Sequence, residues 1–421
     1  MHVVVIGAGV QGINTAYYLN QLGAEVIVVD SASGPAMQCS FGNGGGITPS
    51  AVDPWNAPGL VQMLLKYIGR KDSPLLFRLK ALPGLTTWGL KFLKYATMEK
   101  YIKSNQINGQ LANYSVDLLN DIRQDTEIDY GFNNNGTIKI FRDQQSFDQH
   151  VELSQTLKEL GNADFESLDV KQTIQLEPAL AGISDKISGG IYYNSDEAGN
   201  SHIYCQQMKA VLEQRGVNFL FNTPVKSLQK SNQHFFVSVA NKQAIKADKV
   251  VICAGAKSPS LVKPFGINLP VKPAKGYSLS IPMNGWNNKP THLIADMSLH
   301  AGINPLNNIL RVAGTAEFAG FNGEISADRI DNLIGLVDSV YPEFAATMDR
   351  TNLNPWAGFR PMSCDGKAIL GKTKVDGLYL NTGQGQIGWT TSTASSQLVA
   401  NEIFDLQNKI DINQYSINRF N

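Results

Sequence analysis

The apolar positions near the start of the chain fall into two short continuous runs separated by a helix-like segment. Residues 3–6 read Val-Val-Val-Ile and lead into the glycine turn 7–12, and residues 26–29 form a second apolar run that ends at Asp30. Continuous runs of branched residues predict buried strands, and the segment between them, with Gly23 at its end, predicts a helix. This order of strand, glycine turn, helix, strand and acidic residue predicts a βαβ unit that binds a dinucleotide.

Each position of the glycine turn has a predicted role in that unit. Gly7 permits the tight turn, Gly9 lets the backbone approach a pyrophosphate, and Gly12 lets the helix pack closely on the strand. Val10 opens the helix, whose first N–H groups would face the pyrophosphate. Asp30 is placed to accept hydrogen bonds from ribose hydroxyls. The motif alone does not distinguish NAD from FAD, and a structural glycine turn is the alternative interpretation.

The same reading of apolar periodicity extends along the chain. We predict further helices at 105–125, 144–160, 201–215 and 327–340, and strands at 136–141, 217–221, 225–229, 234–240, 249–253 and 378–381. Short strands are expected to dominate residues 270–317. Two of the predicted strands again run into glycine turns, one at Ala254 and Gly255 and the other at residues 383–388.

A glycine-rich loop follows the first βαβ unit. Four of the five positions 42–46 are glycine, and Ser40 precedes them. Such density lets a backbone come close to a neighbouring group. Its place directly after a nucleotide-binding unit favours a loop that faces the cofactor, with a flexible linker as the alternative.

Residues 60–103 differ in charge from the rest of the chain. Apolar positions at helical spacing predict two amphipathic helices, one beginning near Leu60 and one carrying Leu85, Trp88 and Phe92. The stretch holds nine basic residues against Asp72 and Glu99. Basic amphipathic helices with Trp, Phe and Leu indicate contact with a membrane surface. An ordinary solvated helix pair packed on a core is the alternative interpretation.

Composition limits the remaining function classes. Of the 421 residues, 43% are hydrophobic and 17% charged, and 36 basic residues balance 36 acidic ones. A neutral chain carries no overall field that favours nucleic acid, so we expect no nucleic-acid partner. No leader peptide and no transmembrane helix are expected. The four cysteines and six histidines are scattered without ligand spacing, so we expect no metal site, and four dispersed thiols suit a reducing compartment.

Scattered glycine turns favour FAD over NAD. A compact NAD domain keeps its strands contiguous, whereas here the strand–glycine elements near residues 3–12, 250–255 and 378–388 lie far apart in sequence. A large two-part cofactor needs such distant elements. The last turn precedes a helix, whose N-terminus could face the pyrimidine edge of a flavin ring, where negative charge accumulates on reduction.

Taken with the segments 222–225, 275–279 and 358–366, these elements resemble the D-amino-acid-oxidase type of FAD-dependent oxidoreductases over nearly the whole chain. Within that family the chain is most similar to the bacterial D-amino acid dehydrogenases. The resemblance implies an α/β fold in which a Rossmann-like FAD-binding domain is interleaved with an α+β substrate domain that contains an antiparallel sheet. We assign residues 1–50, 165–262 and 355–421 to the FAD-binding domain and residues 51–164 and 263–354 to the substrate domain.

The resemblance also implies a set of site residues. Arg360 would pair with the substrate carboxylate, as a guanidinium fork suits that group, and the hydroxyl of Tyr277 would hold the carboxylate or line the pocket, with a core tyrosine as the alternative. The predicted cofactor-binding residues are Gly7, Gly9, Val10, Gly12, Asp30, Ser40, Asn43, Gly44, Gly45, Val225, Ala254, Gly255, Gly385, Gly388, Trp389 and Thr390. Because the turn 383–388 holds no cysteine, we expect FAD to be bound noncovalently.

The expected activity is oxidation of D-amino acids to 2-oxo acids and ammonia, with electrons passed to a quinone or another acceptor that is not oxygen. An oxidase of glycine, sarcosine or a cyclic secondary amine is the close alternative. An RNA-modifying flavoprotein and an inactive flavin-binding protein are outside alternatives, disfavoured by the neutral charge and by Arg360 respectively. We expect a cytoplasmic protein that binds peripherally to the inner face of the membrane through residues 60–103.

Overall fold

The computed structural model describes residues 1–59, 75–78, 81–240 and 242–420. The amphipathic helix predicted from Leu60 onwards therefore lies outside the described residues. None of the helices in the described ranges is both long and apolar enough to cross a membrane.

The described residues form ten α-helices and twenty strands, besides several short 3-10 helices. The helices are α1 (Val10–Gln21), α2 (Leu82–Lys94), α3 (Met98–Thr126), α4 (Gln144–Glu159), α5 (Val170–Leu176), α6 (Ser201–Gln214), α7 (Ser258–Val262), α8 (Ala327–Val340), α9 (Pro342–Thr347) and α10 (Ser392–Ile403). The strands are β1 (His2–Ile6), β2 (Glu25–Val29), β3 (Gly46–Ile47), β4 (Leu75–Phe77), β5 (Thr137–Phe141), β6 (Glu166–Leu168), β7 (Gly189–Tyr193), β8 (Glu197–Ala198), β9 (Asn218–Leu220), β10 (Val225–Ser231), β11 (His234–Val239), β12 (Ile245–Ala247), β13 (Lys249–Ile252), β14 (Val271–Pro282), β15 (Leu293–Asp296), β16 (Ala301–Leu306), β17 (Ile309–Phe318), β18 (Asn354–Ser363), β19 (Ile369–Lys372) and β20 (Leu378–Thr382).

A six-stranded sheet in the order β19-β20-β13-β1-β2-β9 forms the first layer. All neighbouring pairs are parallel except β19 with β20. Both faces of β1 are buried, which explains its unbroken apolar run. Val3 and Val5 pack towards α1, α6 and α10, and Val4 and Ile6 pack towards the antiparallel sheet β10-β11-β12. This sheet confirms the predicted dinucleotide-binding fold.

A second, mixed sheet runs β18-β14-β17-β16-β15-β5-β7-β6, with β4 paired to β17. Its longest strands are β14, with 12 residues, and β17 and β18, with 10 each. The expectation that short strands dominate residues 270–317 is therefore wrong. One face of this sheet packs against α8.

The sheet to which each strand belongs is relevant to the domain boundaries assigned from the sequence. Strands β6 and β7 (Glu166–Leu168 and Gly189–Tyr193) belong to the larger sheet, as does β18 (Asn354–Ser363). Sheet membership thus argues for placing these strands with the substrate domain. The division into domains otherwise stays a prediction.

Candidate active site

The carboxyl ends of three parallel strands bring the distant glycine turns together. Gly7 follows β1 with φ +111°, and a Cβ on it would lie 2.5 Å from the carbonyl oxygen of Cys253, at the end of β13. Ala254 and Gly255 continue from there, and the Gly255 carbonyl accepts a hydrogen bond from Thr382 Oγ1 of β20 at 3.1 Å. Ligands bind at this edge of open parallel sheets.

The first turn of α1 suits a pyrophosphate. Gly9 is the N-cap and makes no side-chain capping bond, which leaves helix N–H groups available. Ser40 Oγ accepts a hydrogen bond from Val10 N at 3.3 Å, which ties the glycine-rich loop to this helix end. A Cβ on Gly12 would overlap the carbonyl of Gly7, so only glycine permits this approach. Gly7 and Gly12 thus have the tight turn and close packing predicted for them, and binding of a pyrophosphate at Gly9 and Val10 stays a prediction.

The side-chain carboxylate of Asp30 accepts hydrogen bonds from two backbone N–H groups. Its Oδ2 accepts from Ala8 N at 2.6 Å and its Oδ1 from Ala32 N at 2.8 Å, so the carboxylate locks the first turn to the end of β2. The Asp30 carbonyl also accepts from Thr223 N at 2.8 Å, which brings the segment leading to Val225 alongside. Contacts of Asp30 with ribose and of Val225 with adenine stay predictions.

The loop 40–45 lies between the two sheets. Asn43 Oδ1 accepts from Gly45 N at 2.7 Å, and the Gly44 carbonyl accepts from Asn304 Nδ2 at 2.9 Å. A Cβ on Gly45 would lie 2.7 Å from Leu306 Cδ1 of the larger sheet. The loop therefore needs glycine to fit against that sheet.

Two side chains beside this loop hold polar atoms that a ligand could complete. Ser278 Oγ and Asn304 Oδ1 are buried and have no hydrogen-bond partner among the described residues. Both residues project from the sheet face that carries the loop. Buried polar atoms without partners are rare and point to a group that completes them.

The glycine turn after β20 lies against β18 and the first turn of α1. A Cβ on Gly385 would lie 3.0 Å from Met362 Sδ on β18, and the Gly388 carbonyl accepts from Gln11 Nε2 at 2.7 Å. Thr390 Oγ1 accepts from Thr48 N at 3.0 Å. The side chain of Trp389 is buried and donates to the Gly199 carbonyl at 3.2 Å, so its ring packs in the core, and a contact of Trp389 with the cofactor stays a prediction.

Arg360 projects from β18 onto the face that holds the loop. It is paired with Ala274 of β14, and its guanidinium lies over Gly276, where a Cβ would overlap it. The only hydrogen bond that Arg360 makes to the described residues runs from Nη1 to the Thr315 carbonyl at 3.3 Å. Thr315 is the extra residue of a β-bulge in β17 and has φ +55°, which is unusual for a β-branched residue.

Burial lowers the pKa of Arg360, and the nearby thiol of Cys39 only partly opposes this shift. No carboxylate pairs with Arg360 among the described residues. This half-buried cation without an anion can therefore bind one.

Tyr277 lies on the opposite face of the same sheet. Its hydroxyl donates to Glu317 Oε2 at 2.5 Å, and Lys275 Nζ lies 3.1 Å from the same oxygen. Burial and the Glu317 carboxylate raise the pKa of Tyr277. The structure thus does not bring Tyr277 and Arg360 together, and the geometry favours the alternative of a core tyrosine.

Sequence reasoning missed several neighbours of this site. Arg311, Asn304 and Trp356 all contact the loop or its flanking glycines. One signal was available: β14 alternates small residues at 274, 276, 278 and 280 with large ones between them. Because alternate residues share a face, a face of small residues marks where another group packs closely.

The chain belongs to the D-amino-acid-oxidase family: the family profile described as DAO, FAD dependent oxidoreductase, matches residues 2–402. The cofactor is therefore FAD, as the scattered glycine turns predicted. Among curated relatives, the D-amino acid dehydrogenase of Bradyrhizobium diazoefficiens is 34% identical over 420 residues, which cover 100% of this chain and 99% of the relative. That of Rhizobium johnstonii is 35% identical over 420 residues and covers 100% of both chains.

Solved structures give the same fold. Glycine oxidase from Geobacillus kaustophilus superposes with a TM-score of 0.76 at 18% identity, covering 99% of this chain and 97% of that one. L-Proline dehydrogenase from P. horikoshii gives a TM-score of 0.76 at 16% identity, with 100% and 97% covered. At these identities the likeness establishes the fold alone, and it confirms the expected architecture.

Proposed function

We propose that the protein is an FAD-dependent dehydrogenase that converts D-amino acids to 2-oxo acids and ammonia. The names of its full-length relatives support this activity. The observation that carries the substrate class is the half-buried guanidinium of Arg360, which has no carboxylate partner among the described residues and lies beside the flavin-binding loop.

Arg360 would bind the substrate carboxylate through its two-pronged guanidinium. The Thr315 carbonyl holds Nη1, and the bare backbone of Gly276 gives the guanidinium a flat floor. A carboxylate fixed in two contacts orients the α-carbon, and orientation is the main contribution a protein makes to hydride transfer. When bound, FAD supplies the acceptor for that hydride.

Tyr277 would act from behind the site. It is linked to Glu317 on β17 and lies next to Gly276 on β14, so it braces the two strands that support Arg360. We propose this supporting role in place of a direct contact with substrate.

Anaerobic bleaching of the flavin tests the substrate class. D-Amino acids should bleach the yellow protein, whereas L-amino acids and the corresponding amines without a carboxylate should not. Arg360→Leu should raise the KM about 30-fold or more, because it removes one partner of a buried charge pair. Arg360→Lys should recover part of the loss, since it keeps the charge but not the fork. Unchanged KM in Arg360→Leu would refute the carboxylate assignment.

The electron acceptor is proposed to be a quinone. Substrate oxidation should reduce a quinone analogue promptly and should give little peroxide in air. Prompt peroxide would instead favour the alternative, an oxidase of glycine, sarcosine or a cyclic secondary amine. We also propose that FAD is held noncovalently, so that acid precipitation should leave the yellow colour in the supernatant.

Helix α2 and the start of α3 support contact with the inner face of the cytoplasmic membrane. Leu90 is 70% exposed and Met98 58% exposed, next to Lys91, Lys94 and Lys100. Exposed apolar residues among lysines suit an anionic lipid surface. A quinone dissolved in lipid would then be within reach of the protein.

Vesicle sedimentation tests this surface. The protein should pellet with vesicles that contain anionic lipid, and pelleting should decrease with salt. Leu90→Ser together with Met98→Ser should reduce it, whereas Leu406→Ser, a change at an exposed leucine elsewhere, should not. Equal pelleting of all variants would contradict the assignment.

A further inference from the structure

Arg311 is a buried cation that contacts only neutral acceptors. It is 6% exposed, and its Nε donates to Ser280 Oγ at 3.0 Å. Its Nη1 lies 2.7 Å from the Asn43 carbonyl and 3.5 Å from that of Phe41. Burial lowers the pKa of Arg311 to about 10, which leaves it protonated at neutral pH.

Three other arginines of low exposure each pair with a carboxylate. Arg142 pairs with Asp296 at 2.8 Å, Arg123 with Glu197 at 3.0 Å, and Arg419 with Asp365 at 2.7 Å. No such partner of Arg311 occurs among the residues that the structure describes. A buried charge without a counter-charge is costly unless a ligand or an oriented dipole compensates it.

The bonds from Arg311 set the direction of the loop amides. Carbonyls 41 and 43 point to Arg311, and carbonyl 44 points to Asn304. The described chain has no cis peptide bonds, and the N–H of a trans peptide points opposite to its carbonyl. The N–H groups of Gly42 and Gly44 therefore point away from the sheet, and they have no acceptor within the described ranges.

Arg311 and Arg360 share one face of the larger sheet. Arg311 is paired with Ser280 and Arg360 with Ala274, at even positions of β14 that project to the same side. Two cations without carboxylate partners thus flank the loop. Arg360 is open enough to meet a substrate, whereas Arg311 lies behind the loop and cannot serve the same purpose.

We propose that Arg311 is a positioning residue for the flavin: it turns the loop amides towards the isoalloxazine ring and supplies a fixed positive charge behind them. This charge favours the reduced ring, which carries more negative charge. The proposal rests on FAD as cofactor and not on the choice of substrate, so a wrong substrate assignment would leave it intact.

The FAD-loaded variants Arg311→Met and Arg311→Lys test the proposal through the ring itself. Sulfite is the probe, because its addition to flavin leaves negative charge on the ring. Arg311→Met should weaken sulfite binding about tenfold and lower the flavin midpoint potential, and Arg311→Lys should restore most of both. The proposal would be overturned if Arg311→Met had the same flavin midpoint potential and sulfite affinity as the wild type, even if the variant bound FAD less tightly.

A second pair of variants keeps Arg311 in place, in case Arg311→Met fails to retain FAD. Ser280→Asp puts a carboxylate where the serine hydroxyl meets Arg311 and should lower the potential and weaken sulfite binding. Ser280→Ala removes only a neutral hydrogen bond and should change neither. Equal potentials in the two Ser280 variants would show that the charge of Arg311 does not act on the flavin.

Discussion

Arg360 and Gly276 are matched in shape across two adjacent strands. The guanidinium occupies the space that a side chain at position 276 would fill, so Arg360 in this position needs glycine on the neighbouring strand. The position of the guanidinium therefore depends on both Arg360 and Gly276. The floor provided by Gly276 also lets Nη1 reach the Thr315 carbonyl.

Gly276→Ala should therefore damage substrate binding while leaving FAD in place. The new methyl group overlaps the guanidinium and must displace it. We expect kcat/KM to fall about 10- to 100-fold, since small misplacements of a positioning group have effects of that size. Steady-state kinetics and the flavin-to-protein ratio provide the measurement.

Gly302→Ala is the matched control. Gly302 lies in β16 of the same sheet, and a Cβ there would meet no atom within 4 Å. Its kinetics should equal those of the wild type. Equal loss in both variants would mean that the sheet, rather than Arg360, is disturbed.

The local features of the FAD-binding domain could be predicted because they rest on short-range patterns. The strand before Gly7, the close packing at Gly12 and the helix predicted at 201–215 each depend on residues near in sequence, and each was found as predicted. The assembly of β1, β13 and β20 in one sheet could be predicted because each of these apolar strands ends in a glycine turn.

The substrate side of the site could not be predicted in the same way. Whether Tyr277 faces Arg360 depends on the cross-strand register, and a register is set by the pairing partner rather than by the strand itself. The bulge at Thr315 adds one residue that no alternation pattern reveals. The sequence does not distinguish Arg311 from other strand residues, because the loop carbonyls that it contacts lie more than 260 positions away in the chain.

The first glycine turn offers a second prediction. Gly12→Ala places a methyl group against the Gly7 carbonyl, so the turn must move. We expect a loss of about 1–3 kcal/mol in stability and weaker FAD binding, measured by urea unfolding and by fluorescence of released flavin. Gly335→Ala, in α8 with no atom near its Cβ, should instead be neutral or add up to about 1 kcal/mol.

A buried ion pair near the C-terminus predicts how stability depends on pH. Arg419 donates two hydrogen bonds to Asp365, at 2.7 and 3.0 Å. Burial alone would raise the pKa of Asp365, but the charge of Arg419, with help from Lys367, holds it below its ordinary value. The pair therefore stabilises the fold above the unfolded pKa of about 3.9, and this stability is lost as the pH falls through the folded pKa.

Arg419→Met should cost about 3–5 kcal/mol near neutral pH, because it leaves Asp365 buried and short of a partner. The deficit should shrink as the pH is lowered towards about 4, where protonation removes the charge from the carboxyl group. Urea unfolding at several pH values measures this. Arg350→Met, which breaks an exposed pair with Asp338, should cost less than about 1 kcal/mol. A deficit that does not change with pH would contradict the electrostatic explanation.

The last prediction uses Cys39 to report on Arg360. Cys205, Cys253 and Cys364 are buried, whereas Cys39 is partly exposed. Burial raises the pKa of Cys253 and that of Cys364 to about 12 each. One thiol per chain should therefore react in the native protein and four after unfolding, and the native reaction should speed up above neutral pH, because burial also raises the pKa of Cys39.

The charge on the alkylating reagent then tests the unpaired guanidinium. Arg360 interacts electrostatically with the Cys39 thiolate, so an anionic reagent near Cys39 should also be attracted. The ratio of the iodoacetate rate to the iodoacetamide rate should be higher at Cys39 than for a free thiol. An excess of carboxylate ligand should slow the iodoacetate reaction. Arg360→Leu should abolish this preference. If the ratio of the two rates is the same in wild type and variant, the guanidinium is not free to bind anions, and the proposed carboxylate site loses its basis.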